Sequence, residues 1–160
     1  MTAIRLLILT GACLDEILSL KWDYVDLERK ILFLPDSKTG KKEIILTNAT
    51  VKVLKDLPRI AGHTFVIVGH KQGQHLVNLR KHWVEMRNKI GLRVVRLHDL
   101  RHSFASTAIA AGVPIALIGK LLSHKNCKTT ERYAHFGAIL LRAASELVSQ
   151  RIGLIKNVTF

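Results

Sequence analysis

Residues 97–110 have the sequence LHDLRHSFASTAIA. An apolar residue recurs every three or four positions in this segment, at Leu97, Leu100, Phe104 and Ala108. This spacing is typical of an amphipathic helix whose apolar stripe faces a core, and it predicts a helix from Leu97 to Ala111. At about 100° per residue, His98 and Arg101 lie about 60° apart beside the stripe. Both side chains can therefore point at one ligand.

Arg101 lies at the edge of the buried stripe, where a guanidinium needs an anionic partner to offset its desolvation. A phosphate group would satisfy this need, and so would a structural ion pair with Asp99 or Glu16. The spacing alone favours neither the phosphate ligand nor the structural ion pair. His98 and His102 also have the i, i+4 spacing of zinc ligands. The segment lacks the glutamate of the metalloprotease pattern and places Arg101 nearby, so the pattern argues against a metal.

The rest of the chain is predicted to be mainly helical. Apolar periodicity indicates further helices at Ala3–Leu9, Asp15–Leu20, Ala49–Leu57, Val77–Ile90, Pro114–Ser123 and Thr130–Val148. Two apolar runs, Lys30–Leu34 and Lys42–Leu46, flank turn residues and predict an antiparallel hairpin. The expected fold class is therefore mainly α with a small antiparallel β-sheet (α+β). A length of 160 residues suits a single domain over residues 1–160.

The charge balance is strongly basic. Twenty-five Lys and Arg residues stand against twelve Asp and Glu residues, which gives a formal net charge of +13 and a pI near 10.2. The basic residues are scattered along the chain instead of forming a tail. This distribution points to a polyanionic partner, and nucleic acid is the leading class.

The two cysteines, Cys13 and Cys127, are too few for a disulfide framework. Free thiols favour a reducing compartment, and the cytoplasm is the expected location. No apolar run reaches the roughly 18 residues that would suggest a membrane span. The sequence therefore predicts no membrane contact.

Five short motifs, in one order along the chain, resemble those of the tyrosine recombinase (phage integrase) family. They are Thr10-Gly11-Ala12 before Glu16-Ile17-Leu18, Ser37-Lys38-Thr39-Gly40, His98-x-Leu100-Arg101-His102, Leu122-Ser123-His124, and Thr129-Thr130-x-x-Tyr133-Ala134-His135. Each motif alone is weak, but the set covers nearly the whole chain. The resemblance implies the catalytic-domain fold of that family. It also implies cleavage and rejoining of double-stranded DNA through a 3′-phosphotyrosine, with no metal or nucleotide cofactor.

The resemblance also implies a role for each residue. Tyr133 would attack the scissile phosphate, and it needs activation because a phenol is protonated and weakly nucleophilic at neutral pH. Arg101 and His124 would donate to non-bridging oxygens, where negative charge builds up. His98 would assist proton transfer with Tyr133, and Lys38 would protonate the departing 5′ oxygen.

Cys13 occupies the position of the family's first catalytic arginine. A thiol is a weak donor without the charge or the bidentate fork of a guanidinium, so we expect a strongly impaired enzyme. The alternative interpretation of Cys13 is a small buried filler at a helix start. Ser123 stands where the family often has glycine, and its small size predicts little consequence. The family's separate N-terminal DNA-clamping domain is expected to be absent from residues 1–160.

Two rival functions and one assembly question stay open from the sequence. A DNA-binding relic or regulator could keep the fold without catalysis, and Cys13 favours it. An RNA-binding or structural protein is disfavoured, since an aromatic content of 6% offers few base-stacking platforms. By resemblance, the chain would form tetramers on DNA through its C-terminal helix. That helix has an apolar stripe that could dock in trans or fold back in cis, formed by Ile139, Leu140, Ala143, Ala144, Leu147 and Val148.

Overall fold

The computed structural model describes residues 1–37 and 40–123, together with Ser145 and Val148. Three of the residues predicted to act in the site, Lys38, His124 and Tyr133, lie outside this described part. The predicted helix Thr130–Val148 also lies outside it, except for Ser145 and Val148, which are both helical and exposed.

Residues 1–37 and 40–123 contain six α-helices, a short 3-10 helix (Trp22–Tyr24) and one three-stranded sheet. The helices are α1 (Thr2–Thr10), α2 (Leu14–Leu18), α3 (Asn48–Lys55), α4 (Arg80–Lys89), α5 (Asp99–Ala110) and α6 (Ile115–Leu121). The strands are β1 (Val25–Asp26), β2 (Ile31–Ser37) and β3 (Gly40–Ile45), antiparallel in the order β1-β2-β3. The predicted fold class, mainly α with a small antiparallel sheet, is confirmed.

The sheet and α1 build most of the core. Leu32, Leu34 and Ile44 alternate with exposed neighbours on β2 and β3, so one face of the hairpin is buried. Helix α1 contacts both α3 and α5, and Leu6 and Leu7 are almost completely buried. The apolar run of α1 is therefore the centre of the described fold.

Three elements differ from the sequence expectation. Strand β1 was not predicted, because two residues are too short to show alternation. The apolar run Phe65–Val68, whose composition is typical of a short strand, forms only two isolated bridges, Lys21 with Phe65 and Val68 with His75. The helix expected from Val77 begins at Arg80 instead, and the Asn78 Oδ1 accepts a hydrogen bond from the Arg80 backbone N–H at 2.9 Å. Such an asparagine offers the backbone a turn in place of another helical residue.

Gly11 ends α1 in the left-handed region, with φ of 63°, and its N–H donates to the Leu7 carbonyl at 3.0 Å. A Cβ at this position would lie 2.7 Å from Phe104 Cδ1 and 2.9 Å from Leu122 Cδ2. Glycine is therefore required at position 11 for two reasons: the left-handed backbone conformation and the close approach of α5 and α6.

We predict that Gly11→Ala lowers the free energy of unfolding by about 1–3 kcal/mol more than Gly112→Ala. Both glycines have positive φ, but a Cβ at Gly112 meets nothing within 4 Å among the described residues. The control substitution therefore carries only the left-handed strain, about 1–2 kcal/mol. Urea unfolding curves of the two variants measure the difference, and equal losses would contradict the packing role of Gly11.

Candidate active site

The segment between α1 and α2 places Cys13 at the start of α2. Cys13 is the residue before the helix, and its backbone N–H donates to Glu16 Oε2 at 2.8 Å. The Cys13 side chain is half-buried. The interpretation of Cys13 as a residue at a helix start is therefore correct, while its side chain is only partly covered.

Glu16 also binds the hairpin through a buried ion pair. Lys42 Nζ donates to Glu16 Oε2 at 2.9 Å and to Oε1 at 3.2 Å. The two side chains are 3% and 13% exposed, respectively. One carboxylate therefore connects the backbone of Cys13 to β3, and it holds α2 against the hairpin.

Arg101 donates to two backbone carbonyls. Its Nη1 lies 2.5 Å from the Gly11 oxygen, and its Nη2 lies 2.6 Å from the Leu122 oxygen. Both carbonyls terminate helices, where backbone acceptors lack intrahelical partners. Arg101 therefore joins the end of α1 to the end of α6 while it remains attached to α5.

The structural ion pair considered for Arg101 is wrong for both acidic candidates. Glu16 pairs with Lys42, and Asp99 pairs with Arg96 at 3.0 Å. Two of the five N–H groups of the Arg101 guanidinium are used on the carbonyls, and within residues 1–37 and 40–123 no hydrogen bond engages the other three. Sequence spacing could not show this arrangement, because the acceptors are main-chain atoms from distant segments.

The first turn of α5 carries His98 and His102 in contact. Their rings meet edge to face, with centroids 4.8 Å apart. Asp99 lies between them in the sequence, and the hydrogen-bonded Arg96 guanidinium lowers the pKa of the Asp99 carboxyl below its usual value. Arg96 therefore favours the ionised form of Asp99.

One cleft of about 1080 Å³ is lined by every predicted site residue that lies in the described part of the chain. Its wall includes Cys13, His98 and Arg101. The structure thus brings together residues from α2 and α5 that are separated by more than eighty positions in the chain. Lys38, His124 and Tyr133 lie outside the described residues, so their placement stays a prediction.

Three further arginines line the same cleft, and none of them belongs to the five sequence motifs. They are Arg80 and Arg87 on α4, and Arg96 just before α5. A signal was present in the sequence: residues 57–123 contain ten Lys or Arg side chains and only two acidic ones, Glu85 and Asp99. The net positive charge of the described chain is therefore concentrated in the segment that builds this wall.

Ser123 adopts a left-handed backbone conformation, with φ of 53°. This conformation is disfavoured for a residue with a Cβ by about 1–2 kcal/mol. The expected lack of consequence, which considered only side-chain size, therefore overlooked the backbone. A glycine would adopt this conformation without that steric penalty.

The comparisons with known proteins agree with this architecture. The sequence profile of the Phage integrase family matches residues 1–138. Tyrosine recombinase XerA of Saccharolobus solfataricus is 31% identical over 138 residues, covering 82% of this chain and 44% of the relative. XerA of Pyrococcus horikoshii is 32% identical over 151 residues, covering 88% of this chain and 52% of the relative.

Among solved structures, the Tn1549 transposon integrase in complex with transposon right end DNA superposes with a TM-score of 0.77 at 18% identity, covering 92% of this chain and 58% of that one. At this identity the likeness shows the fold alone. The family profile covers most of the sequence, so the chain belongs to the phage integrase family, whose relatives named above are tyrosine recombinases. The chain spans about half the length of these curated relatives.

Among the described residues, no three His, Cys, Asp or Glu side chains form a group that could hold a metal ion. In the same part of the chain, no helix is long and apolar enough to cross a membrane.

We predict that Lys42→Met lowers the free energy of unfolding by about 3 kcal/mol or more, because it leaves the Glu16 carboxylate buried without its cation. Lys41→Met removes the same charge from an exposed position on the same strand and should change stability by less than about 0.5 kcal/mol. Adding Glu16→Gln to Lys42→Met should recover part of the loss. Equal effects at positions 41 and 42 in urea unfolding would contradict the role of the ion pair.

Proposed function

We propose that residues 1–160 form the catalytic domain of a tyrosine recombinase that cleaves and rejoins double-stranded DNA through a 3′-phosphotyrosine intermediate. The observation that carries this proposal is the cleft in which Arg101 and His98 stand beside Cys13. Cys13 occupies the position of the family's first catalytic arginine. A cleft lined by arginines suits a phosphodiester, since a guanidinium binds phosphate oxygens with two parallel hydrogen bonds.

Arg101 is proposed to stabilise the transition state of cleavage. As the phosphate becomes five-coordinate, negative charge grows on its non-bridging oxygens, and a donor already fixed in place stabilises that charge most. The two carbonyl contacts of Arg101 hold its guanidinium in such a position. His98, exposed at the start of α5, is proposed to assist proton transfer from Tyr133.

The remaining proposed roles rest on motif matches in the sequence. Tyr133 would form the covalent bond to the 3′ phosphate, and His124 would donate to a non-bridging oxygen. Lys38, in the Ser37-Lys38-Thr39-Gly40 motif, would protonate the 5′ oxygen as it leaves. The released 5′ hydroxyl can later attack the phosphotyrosine, which rejoins the strand without a metal or a nucleotide cofactor.

DNA binding by this chain is proposed to be electrostatic and sensitive to salt. Contacts to phosphates dominate the affinity of basic proteins for DNA and weaken as counterions compete. The cleft arginines would supply such phosphate contacts. Recognition of a DNA sequence would need other side chains that contact the base edges. Assembly as a tetramer on paired DNA, through the C-terminal helix, is the proposed quaternary state.

Cys13 is proposed to slow catalysis and leave DNA binding largely intact. Loss of an arginine that clamps a transferring phosphoryl group reduces rates by about 10³ to 10⁵. The same observation favours the second candidate function, a DNA-binding regulator or relic that has this fold without cleavage. Detection of the covalent intermediate separates the two candidates.

The first experiment tests cleavage directly. The chain is incubated at low salt with nicked duplexes of randomised sequence, so that the cleaved strand cannot be rejoined. We expect a covalent protein–DNA species that is resistant to denaturant and disappears in Tyr133→Phe. A species that persists in Tyr133→Phe, or its complete absence from both the native chain and Cys13→Arg, would contradict the proposed reaction.

The second experiment tests the missing arginine. Cys13→Arg should raise the rate of covalent complex formation by about 10²-fold or more, because it restores a charged, bidentate donor. Cys13→Gln is the matched control, since it adds a side chain of intermediate length without charge, and we expect no such increase. Equal, low rates in all three proteins would argue against a phosphate contact at this position.

A further inference from the structure

The face of α4 that lines the cleft alternates basic and apolar residues at helical spacing. Arg80, Trp83, Val84 and Arg87 follow the i, i+3, i+4, i+7 pattern of one helix face, and all four line the cleft that contains Cys13. Trp83 is 3% exposed. The aromatic side chain therefore anchors this face, and an arginine extends from it at each end.

Arg87 is held in place by the loop before α5. Its Nη1 donates to the Val95 carbonyl at 2.8 Å, and the Trp83 indole N–H donates to the same oxygen at 2.9 Å. The shared acceptor fixes the Arg87 guanidinium relative to the buried indole. Fewer side-chain rotamers are then lost when the guanidinium binds a ligand.

Arg87 also has unmet hydrogen-bonding capacity. Its Nε is buried and has no hydrogen-bond partner among the described residues. A buried donor without an acceptor is destabilising, and more so when the group is charged. Native structures rarely keep such a group without a functional reason or a bound ion. Arg87 Nη2 also has no hydrogen-bond partner among the described residues, and it is the donor left for an anion that enters the cleft.

The other two cleft arginines are less suited to this role. Arg96 is exposed and its guanidinium is engaged by Asp99 at 3.0 Å. Arg80 is exposed at the first turn of α4, and no described hydrogen bond fixes its guanidinium. Among the three, Arg87 alone is half-buried with one guanidinium nitrogen fixed to the backbone. It is therefore the best preorganised candidate.

We propose that Arg87 contacts the scissile phosphate and replaces, in this chain, the arginine that is missing at position 13. The proposal rests on the proposed function. Arg87 and Cys13 line the same cleft as Arg101, so all three residues border the space that the proposed phosphodiester would enter. The replacement would be partial, because the guanidinium comes from a different wall of the cleft.

The test is a double-mutant cycle between positions 13 and 87, with the rate of covalent complex formation on the nicked, randomised duplexes as the readout. Arg87→Gln should lower the rate of the native chain by about 10²–10³-fold, the effect of losing one fixed donor. In the Cys13→Arg background the same substitution should lower the rate by less than about 10-fold, because the restored arginine then holds the phosphate.

Arg93→Gln is the matched control. Arg93 is an exposed arginine a few residues along the chain, and it is absent from the described lining of the cleft. Its loss should change the rate equally and by only a few fold in both backgrounds. Urea unfolding of each variant separates folding from catalysis, and Arg87→Lys, which keeps the charge but loses the fork, should retain part of the activity.

Each outcome decides between the proposals. Equal fold-losses for Arg87→Gln in both backgrounds would show a purely structural role and overturn the replacement. A native chain without detectable cleavage beside an active Cys13→Arg protein would also overturn it, while the proposed function would stand. If neither protein forms a Tyr133-dependent covalent species, the proposed function itself fails.

Discussion

The candidate active site depends on one guanidinium that satisfies the ends of two helices. Arg101 reaches from α5 to the carbonyls of Gly11 and Leu122, which close α1 and α6. Gly11 permits this arrangement, because any side chain there would collide with Phe104 and Leu122. The segment that carries Cys13 and the segment that leads to His124 are therefore tied to the same side chain. A residue expected to act on a ligand is also a residue on which the local fold depends.

The distribution of charge follows from which carboxylates are already paired. Glu16 is used inside the fold, where it neutralises the buried Lys42 and accepts the backbone N–H of Cys13. Asp99 is used at the surface by Arg96. Arg80 and Arg87, on the cleft-lining face of α4, have no described carboxylate partner, so that face remains basic. The described lining of the cleft therefore contains four arginines and one carboxylate, Asp15.

Most helices and the hairpin could be predicted because their signal is local. Periodic apolar residues indicate directly which face of an element is buried. This holds for the stripe through Leu100 and Phe104 and for the alternation in β2 and β3. The start of α4 was misplaced, because Asn78 competes with the helix for the backbone N–H of Arg80. The consequence of Ser123 was missed because a left-handed φ at a single residue just after α6 leaves no periodic trace in the sequence.

The amino-acid sequence by itself determined the family, the fold class and the basic character of the chain, since these follow from motif order, periodicity and composition. Only the tertiary structure decided which groups meet. It paired Glu16 with Lys42, directed Arg101 to main-chain carbonyls, and placed Arg87 in the cleft of Cys13. The physical reason is that such contacts join segments distant in sequence, and their partners include backbone atoms that every residue possesses and no motif can specify.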